Sequence, residues 1–286
     1  MSRADEIFVD MCRGILDGGC SSEGQEVRAR WEDGAPAHTV KRFGVVNRYD
    51  LSCEFPALTL RPVPFALCVD ELLWIWQRKS NNISDLSSHI WDSWADECGS
   101  IGKAYGYQLG VKYDFGGGRV MDQVDNVLWQ LKHTPYSRRI MTNIYNFSDI
   151  AQMGLEPCAY SMTFNVTRDV TGGTAGGGRL NAILHQRSQD VLAANGWNVC
   201  QYAVLVHLLA QVSGLEAGEF VHVIADAHIY DRHIPIIEEL IARPQHPAPR
   251  LWIDESVKDF YSFTPESVRL EGYKAGAQIK GIEIAV

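Results

Sequence analysis

Cys158, in the stretch at residues 155–160 (LEPCAY), is the first side chain in this sequence that could act as a nucleophile. A thiolate attacks carbon readily, but a thiol ionises near neutral pH only beside a cation or a helix N-terminus. Free cysteine is also among the most often buried residue types, and most such cysteines only pack in a core. The residue type alone therefore leaves two interpretations of Cys158, a core residue and a nucleophile.

Arginines at two places in the chain could supply the cation. Residues 185–190 (HQRSQD) put Arg187 near the end of a predicted strand, beside a serine and an aspartate, and Arg138 and Arg139 are adjacent just before another strand. The planar guanidinium group suits a phosphate, which it can hold through two parallel hydrogen bonds. Adjacent arginines more often form a solvated surface, so a phosphate site is one of two interpretations.

A buried acid could move protons at the same site. The apolar run at residues 70–76 (DELLWIW) begins with Asp70 and Glu71, one of which is expected to be buried in a predicted helix. Burial raises the pKa of a carboxyl group toward neutrality, where the group can both give and take a proton. The alternative is an acid on the helix surface, which suits Asp70.

Aromatic and imidazole side chains are further candidates. His228 and Tyr230 stand at alternate positions, so both could face one side of a strand, either in a site or as a structural pair. Trp91 and Trp94 are typical core residues, but a flat indole ring can also stack on a heterocycle. Each pair therefore has both a structural and a functional interpretation.

The hydrophobic pattern predicts the elements that position these residues. Helical spacing predicts helices at residues 4–17, 65–77, 120–132, 199–212 and 235–242. Strand-like runs lie at residues 40–58, 140–145, 159–170, 180–185 and 220–224, with short strands and loops at 250–263 and 268–286. The stretch at 172–178 (GGTAGGG) predicts a flexible hairpin connection. Because no β-α-β alternation is visible, we expect one α+β domain over residues 1–286.

Composition narrows the class of protein. The 286 residues are 46% hydrophobic and 21% charged, which is typical of a soluble globular protein, and the net charge of -9 disfavours non-specific binding to nucleic acid. The seven scattered cysteines contain no CxxC pair, so we expect reduced thiols and no metal site. A charged N-terminus and the lack of a long apolar run predict a cytoplasmic protein without a membrane span.

A series of motifs follows one order along the whole chain. They are DELLWIW, HIWDSWADE, YGYQLG, DQVDNVLWQLK, PYSRRI, EPC, HQRSQDV, NVCQYAVLVHLLAQVSGLEAGEF, DAHIYDRH and the terminal IAV. No single motif would suffice, but together they span about residues 28–286. In this order they resemble the folate-dependent thymidylate synthase family. The resemblance implies an α+β fold with a mixed sheet packed against helices, and a homodimer formed through the sheet faces.

The resemblance also implies an activity, the conversion of dUMP to dTMP with 5,10-methylenetetrahydrofolate as carbon donor and reductant. Cys158 stands where the family has its nucleophile, Glu71 matches the proton-relaying acid and Tyr105 a tyrosine near the C5 proton. Arg187 stands beside the thiol, and Asp190 matches a folate contact. These are the expected catalytic residues.

The binding residues implied by the same resemblance fall into two groups. For dUMP they are Arg28, Arg138, Arg139, Gln186, Arg187, Ser188, Asn198, His228 and Tyr230, with Arg138 and Arg139 reaching the phosphate of the partner subunit. For the folate they are Arg61, Trp91, Trp94, Asp190 and Val286. Asn198 favours a uracil base, because an amide can donate and accept at once, whereas an aspartate there would favour cytosine.

Several positions depart from the family pattern. Residues 194–198 read ANGWN where Gly-x-Pro-Phe-Asn is usual, Ala225 replaces a glycine, and Glu156 replaces a small neutral residue. These departures leave open a 5-hydroxymethylase of the same superfamily, acting on dCMP, CMP or dUMP. A non-catalytic RNA-binding regulator is the third hypothesis, which the acidic charge and the complete set of reactive residues disfavour.

Overall fold

The computed structural model describes residues 2–168 and 178–286. Its α-helices are α1 (Arg3–Gly18), α2 (Phe65–Trp76), α3 (Gly106–Gly110), α4 (Gln123–His133), α5 (Asn195–Ser213) and α6 (Ile234–Ile241). Its strands are β1 (Cys20–Ser21), β2 (Thr39–Asp50), β3 (Tyr113–Asp114), β4 (Val120–Met121), β5 (Met141–Asn143), β6 (Ala159–Thr167), β7 (Arg179–Gln186), β8 (Gln189–Asp190), β9 (Glu216–Tyr230), β10 (Arg250–Ile253) and β11 (Val268–Glu271). The predicted helices at 4–17, 65–77, 199–212 and 235–242 are therefore confirmed, although α5 begins a turn earlier.

A mixed sheet forms the centre of the fold, with strand order β1-β2-β9-β7-β6-β5 and with β8 paired to β9. Its neighbouring strands are antiparallel, except that β7 and β8 run parallel to β9. Because α5 connects β7 and β8 to β9, these elements form a β-α-β unit. The α+β mixed sheet is confirmed, and the expectation that no such unit exists is wrong.

The helices α2 and α5 pack side by side and carry much of the core. Most side chains of both helices are buried, including Leu72, Trp74 and Leu205, which explains why α5 is apolar almost all round. Gly214 ends α5 in the left-handed conformation, with φ at 67°, and its N–H returns to the last carbonyls of the helix. This pairing brings residues of α2 to the first turn of α5.

The predicted helix at 120–132 begins too early. Val120 and Met121 form β4 instead, and the helix starts after Asp122, whose carboxylate accepts the Asp125 N–H at 3.0 Å. An N-cap of this kind fixes the first turn of a helix. The helical spacing of the apolar residues therefore placed the predicted helix start on the wrong side of the Asp122 N-cap.

Strand bounds differ for similar local reasons. The run predicted at 40–58 ends as β2 at Asp50, because the Asp50 carboxylate accepts the Ser52 N–H at 3.0 Å and turns the chain. The run at 220–224 extends over the whole of β9, and β6 ends at Thr167. Apart from Gly178, the predicted glycine-rich connection lies outside the described residues.

None of the helices in the described ranges combines the length and apolar character needed to cross a membrane. In the same part of the chain, no cluster of three or more His, Cys, Asp or Glu side chains could hold a metal ion.

Candidate active site

Cys158 lies directly before β6, where the chain enters the sheet. Its backbone N–H donates to the Tyr105 hydroxyl, with 3.1 Å between nitrogen and oxygen, and its carbonyl accepts the Arg187 backbone N–H at 2.9 Å. Tyr105 has a φ angle of 43°, which is unfavourable for a residue with a side chain and is typical of functional sites. The structure thus brings three of the expected catalytic residues together around a half-buried thiol.

The guanidinium group of Arg187 holds the segment that precedes the cysteine. Its Nε donates to the Pro157 carbonyl at 3.0 Å, and its Nη2 donates to the Glu156 carbonyl at 2.7 Å. Burial raises the pKa of the Cys158 thiol, and the positive charges of Arg187 and Arg28 oppose that rise. Because the pKa stays above its ordinary value, desolvation outweighs the arginines in this structure.

Glu71, on α2, accepts hydrogen bonds at both carboxylate oxygens. The Trp91 indole N–H donates to Oε1 at 2.5 Å, the Gln201 amide donates to Oε2 at 2.7 Å, and the Trp197 indole N–H also donates to Oε2. Burial raises the pKa of Glu71, and these three hydrogen bonds oppose the rise because they favour the ionised form. The result is a buried acid whose orientation is fixed on both sides.

An aromatic wall connects the acid to the cysteine. The Trp91 ring lies 4.9 Å from the Tyr105 ring and 5.7 Å from the Trp94 ring, measured between centroids, and both contacts are edge-to-face. Trp91 therefore contacts Glu71 through its N–H and Tyr105 through its ring. Asp70, the other candidate acid, pairs with Arg78 at 2.7 Å and does not join this group.

Three polar side chains form a hydrogen-bonded row beside the cysteine strand. Gln186, at the end of β7, donates from Nε2 to Asn198 Oδ1 at 3.1 Å, and its Oε1 lies 2.6 Å from His222 Nε2. Asn198 is half-buried in the first turn of α5, whereas Gln186 and His222 are buried. The two inner residues therefore support an amide that can reach the site.

Asp190, in β8, joins two other parts of the chain. It accepts the Ala193 N–H at 3.0 Å and lies 3.8 Å from Nδ1 of the buried His233, whose Nε2 is 2.8 Å from the Glu283 carbonyl. Burial alone would raise the pKa of Asp190, but its contacts with His233 and the Ala193 N–H lower that pKa overall. Asp190 is thus an anchored carboxylate close to the C-terminal segment.

Two of the expected folate residues, Arg61 and Val286, are held by backbone contacts, and Arg61 also lies within range of the Asp190 charge. Arg61 donates to the Leu192 carbonyl, and the negative charge of Asp190 acts on it. The C-terminal Val286 pairs with Arg30, each backbone N–H donating to an oxygen of the other at 3.0 and 2.9 Å. This pairing places the C-terminus on the loop that carries Arg28.

His228 and Tyr230 lie on one side of β9, with ring centroids 5.1 Å apart. His228 Nδ1 is 2.9 Å from Asp226 Oδ1, and burial raises the pKa of Tyr230 to about 12. The tyrosine hydroxyl therefore remains protonated and able to donate a hydrogen bond. Ser188 is half-buried between β7 and β8, next to Arg187.

Two expected residues are not brought to this group within one chain. Arg138 and Arg139 are exposed in the turn between α4 and β5, and neither side chain makes an ion pair or hydrogen bond to another described residue. Arg139 instead lines a surface groove with Trp129 and His133.

Sequence reasoning missed four residues that support the site, namely Trp197, Gln201, His222 and His233. Trp197 occupies a position that departs from the family pattern, and Gln201 and His233 stand inside two of the quoted motifs, but no role was expected for any of them. Gln201, His222 and His233 act on residues distant in sequence, and their partners become clear only when strands and helices are packed. They are side chains that hold expected site residues in place.

The fold and the site define a class of protein first. A mixed α+β sheet presents a thiol beside a guanidinium group, a buried carboxylate held by N–H donors, and an amide directed from a helix start. Such a set offers groups suited to nucleophilic attack, proton transfer and polar recognition. It fits the class of enzymes that bond covalently to a polar, anionic substrate.

Comparison with known proteins identifies the family within that class. Residues 6–286 match the family model described as thymidylate synthase. The thymidylate synthase of Bacillus licheniformis is 42% identical over 290 residues, covering 100% of both chains, and thymidylate synthase 1 of Bacillus subtilis (strain 168) is 41% identical over the same span. The solved structure of thermostable thymidylate synthase A from Bacillus subtilis matches with a TM-score of 0.92 at 40% identity, covering 99% of each chain. The chain belongs to the thymidylate synthase family.

Proposed function

We propose that this enzyme methylates dUMP to dTMP, using 5,10-methylenetetrahydrofolate and releasing dihydrofolate. The observation that carries the proposal is the arrangement of Cys158 against Tyr105 and Arg187 in a chain that matches thymidylate synthases over its full length. We further propose that residues 1–286 form one catalytic domain that works in the cytoplasm.

Cys158 supplies the covalent step. Carbon 5 of uracil is a poor nucleophile, and addition of a thiolate at carbon 6 converts it into the carbon of an enolate. Negative charge then develops on O4, where hydrogen bonding organised by Glu71 lowers the barrier. Desolvation raises the pKa of the free Cys158 thiol, so the cations around it are needed to form the thiolate.

The arginines and the β9 residues hold the nucleotide. Arg28, Arg187 and Ser188 bind the phosphate dianion, and His228 and Tyr230 bind the ribose 3′-hydroxyl. Fixing the phosphate and the sugar converts binding energy into alignment of the base over the thiol. The proposal is supported by the charges of Arg28 and Arg187, both of which act on Cys158.

The folate supplies one carbon and a hydride when it is bound. Trp91 and Trp94 offer flat rings to its heterocycle, Asp190 offers an ionised carboxylate to its N–H groups, and Arg61 offers a cation to its acidic tail. This donor set fits a large aromatic anion with polar edges. Closure of Val286 over the pocket would keep water away from the reacting atoms.

The product assay tests the proposed function. With dUMP and methylenetetrahydrofolate, we expect dTMP and dihydrofolate in equal amounts, measured by absorbance and chromatography. The same assay with dCMP and CMP serves as the control for base selection. A 5-hydroxymethylated nucleotide formed without dihydrofolate would contradict the proposal and select the hydroxymethylase.

We also propose a homodimer in which Arg138 and Arg139 act on the phosphate at the partner's site. Both side chains are exposed, and the charges that act on Cys158 in its own chain are those of Arg187 and Arg28, while Phe43 on β2 and Phe147 after β5 are 87% and 84% exposed. Large exposed aromatic side chains on a sheet are typical of an interface. An isologous dimer would cover them and complete both sites.

Subunit mixing tests the dimer. A Cys158→Ala chain and an Arg138→Ala/Arg139→Ala chain are each expected to be nearly inactive. Refolded together, half of the dimers are mixed, and one site in each mixed dimer has an intact cysteine and intact partner arginines. Recovery of about a quarter of wild-type activity is therefore expected. No recovery in a mixture shown to contain mixed dimers would place the arginines at their own chain's site.

A further inference from the structure

The row His222, Gln186 and Asn198 links the sheet interior to the residue expected to read the base. In the parallel pair β7 and β9, His222 stands opposite Leu184 and Ile224 stands opposite Gln186. Since alternate residues share a face, His222 and Gln186 lie on the same side of the sheet as diagonal neighbours. The distance from His222 Nε2 to Gln186 Oε1 is 2.6 Å, and Gln186 Nε2 donates a hydrogen bond to Asn198 Oδ1 at 3.1 Å.

His222 enters this row with a defined donor. It is fully buried, and burial lowers its pKa to about 3, so it is neutral and carries one N–H. Its Nδ1 has no hydrogen-bond partner among the described residues. A proton on Nδ1 would be a buried donor without an acceptor, whereas a proton on Nε2 points at the Gln186 amide. The proton therefore belongs on Nε2.

The position of that proton determines the orientation of both side-chain amides in the row, those of Gln186 and Asn198. A donor at Nε2 requires Gln186 to turn its Oε1 toward the histidine and its Nε2 toward Asn198. Asn198 must then turn Oδ1 toward Gln186. If either amide turned over, two donors or two acceptors would face each other in a buried space.

We propose that His222 is a positioning residue that fixes the Asn198 amide through Gln186 and thereby selects a uracil base over a cytosine base. This inference rests on the function proposed above. Uracil presents an N3–H donor beside the O4 acceptor, and cytosine presents the N3 acceptor beside an N4 donor. An amide that can turn over binds both patterns, and an amide locked in one orientation binds only one.

The test compares variants that differ in the donor. His222→Phe keeps a flat ring but removes the N–H, and it is expected to lower the ratio of kcat/KM for dUMP to that for dCMP by about tenfold. His222→Gln retains an N–H that can reach Gln186, and it is expected to keep more of the preference. Dissociation constants for dUMP and dCMP, measured by calorimetry, should change in the same sense without any turnover.

A second measurement needs no variant. Nitrogen-15 spectra of the wild-type protein with labelled histidine should show His222 protonated on Nε2 and unprotonated on Nδ1. A proton on Nδ1, or a folded His222→Phe variant with an unchanged nucleotide ratio, would overturn the inference. Failure of the wild type to methylate dUMP would instead overturn the proposed function, and the tautomer measurement would still decide how the row is oriented.

Discussion

Replacing Cys158 by alanine is expected to lower dTMP formation by at least about 10⁴-fold, because the proposed bond to carbon 6 requires the Cys158 thiolate. Tyr105 and Arg187 hold the backbone that presents the half-buried Cys158 thiol, and among the described residues no second cysteine makes a hydrogen bond to either side chain. The variant should still bind dUMP, since the phosphate and ribose contacts are unchanged. Rates are measured by dihydrofolate release, and nucleotide binding is measured by calorimetry.

A covalent trap separates loss of the nucleophile from loss of the fold. Wild-type protein with 5-fluoro-dUMP and the folate should form a complex that survives denaturation, and Cys158→Ala should form none. Cys98→Ala is the matched control, because Cys98 is an exposed cysteine in a loop that contacts Asn82. Survival of the trapped complex in Cys158→Ala, or its loss in the Cys98 variant, would mean that another residue is the nucleophile.

The sequence predicts the helices well where one face or the whole surface is apolar. The helix α1 follows from periodicity because its buried face repeats regularly, whereas α2 and α5 follow from long apolar runs because most of their side chains are buried. The β-α-β unit was not predictable in the same way. Strand pairing across α5 depends on contacts between residues far apart in sequence, and β9 was visible only as its most apolar part, residues 220–224.

The order of the motifs predicts which residues are candidates for the site. It does not predict the relative size of the opposing effects on the pKa of a site residue such as Cys158. Arg187 was expected to help Cys158 ionise, and its charge does favour the thiolate. Desolvation proves to be the larger effect on the thiol, and burial depends on packing that a single sequence does not specify. The same holds for His222, whose role depends on the register of two parallel strands.

Replacing Glu71 by glutamine is expected to lower kcat by about 10²- to 10⁴-fold, with a smaller effect on nucleotide binding. The carboxylate accepts N–H groups from Trp91, Trp197 and Gln201. An amide has one oxygen and one NH₂ group, so one of these donors would face another donor. The variant would lose the proposed proton-relaying carboxyl group and would also disturb the N–H donors around it. Both effects are measured by kcat and by its dependence on pH.

Replacing Trp197 by phenylalanine is a milder test of Glu71, because it removes one hydrogen bond to the carboxylate and keeps the carboxylate itself. Burial raises the pKa of Glu71 and the indole N–H opposes that rise, so removal of the N–H moves the pKa further upward. The low-pH limb of kcat/KM, where Glu71 takes up a proton, should therefore shift to higher pH, while the high-pH limb stays in place. Trp252→Phe is the control, since the Trp252 ring on β10 packs against Arg269 on β11, and Trp252 is not among the described residues that donate to Glu71. An unshifted low-pH limb in a folded Trp197→Phe variant would show that another group titrates there and that Glu71 acts through its geometry alone.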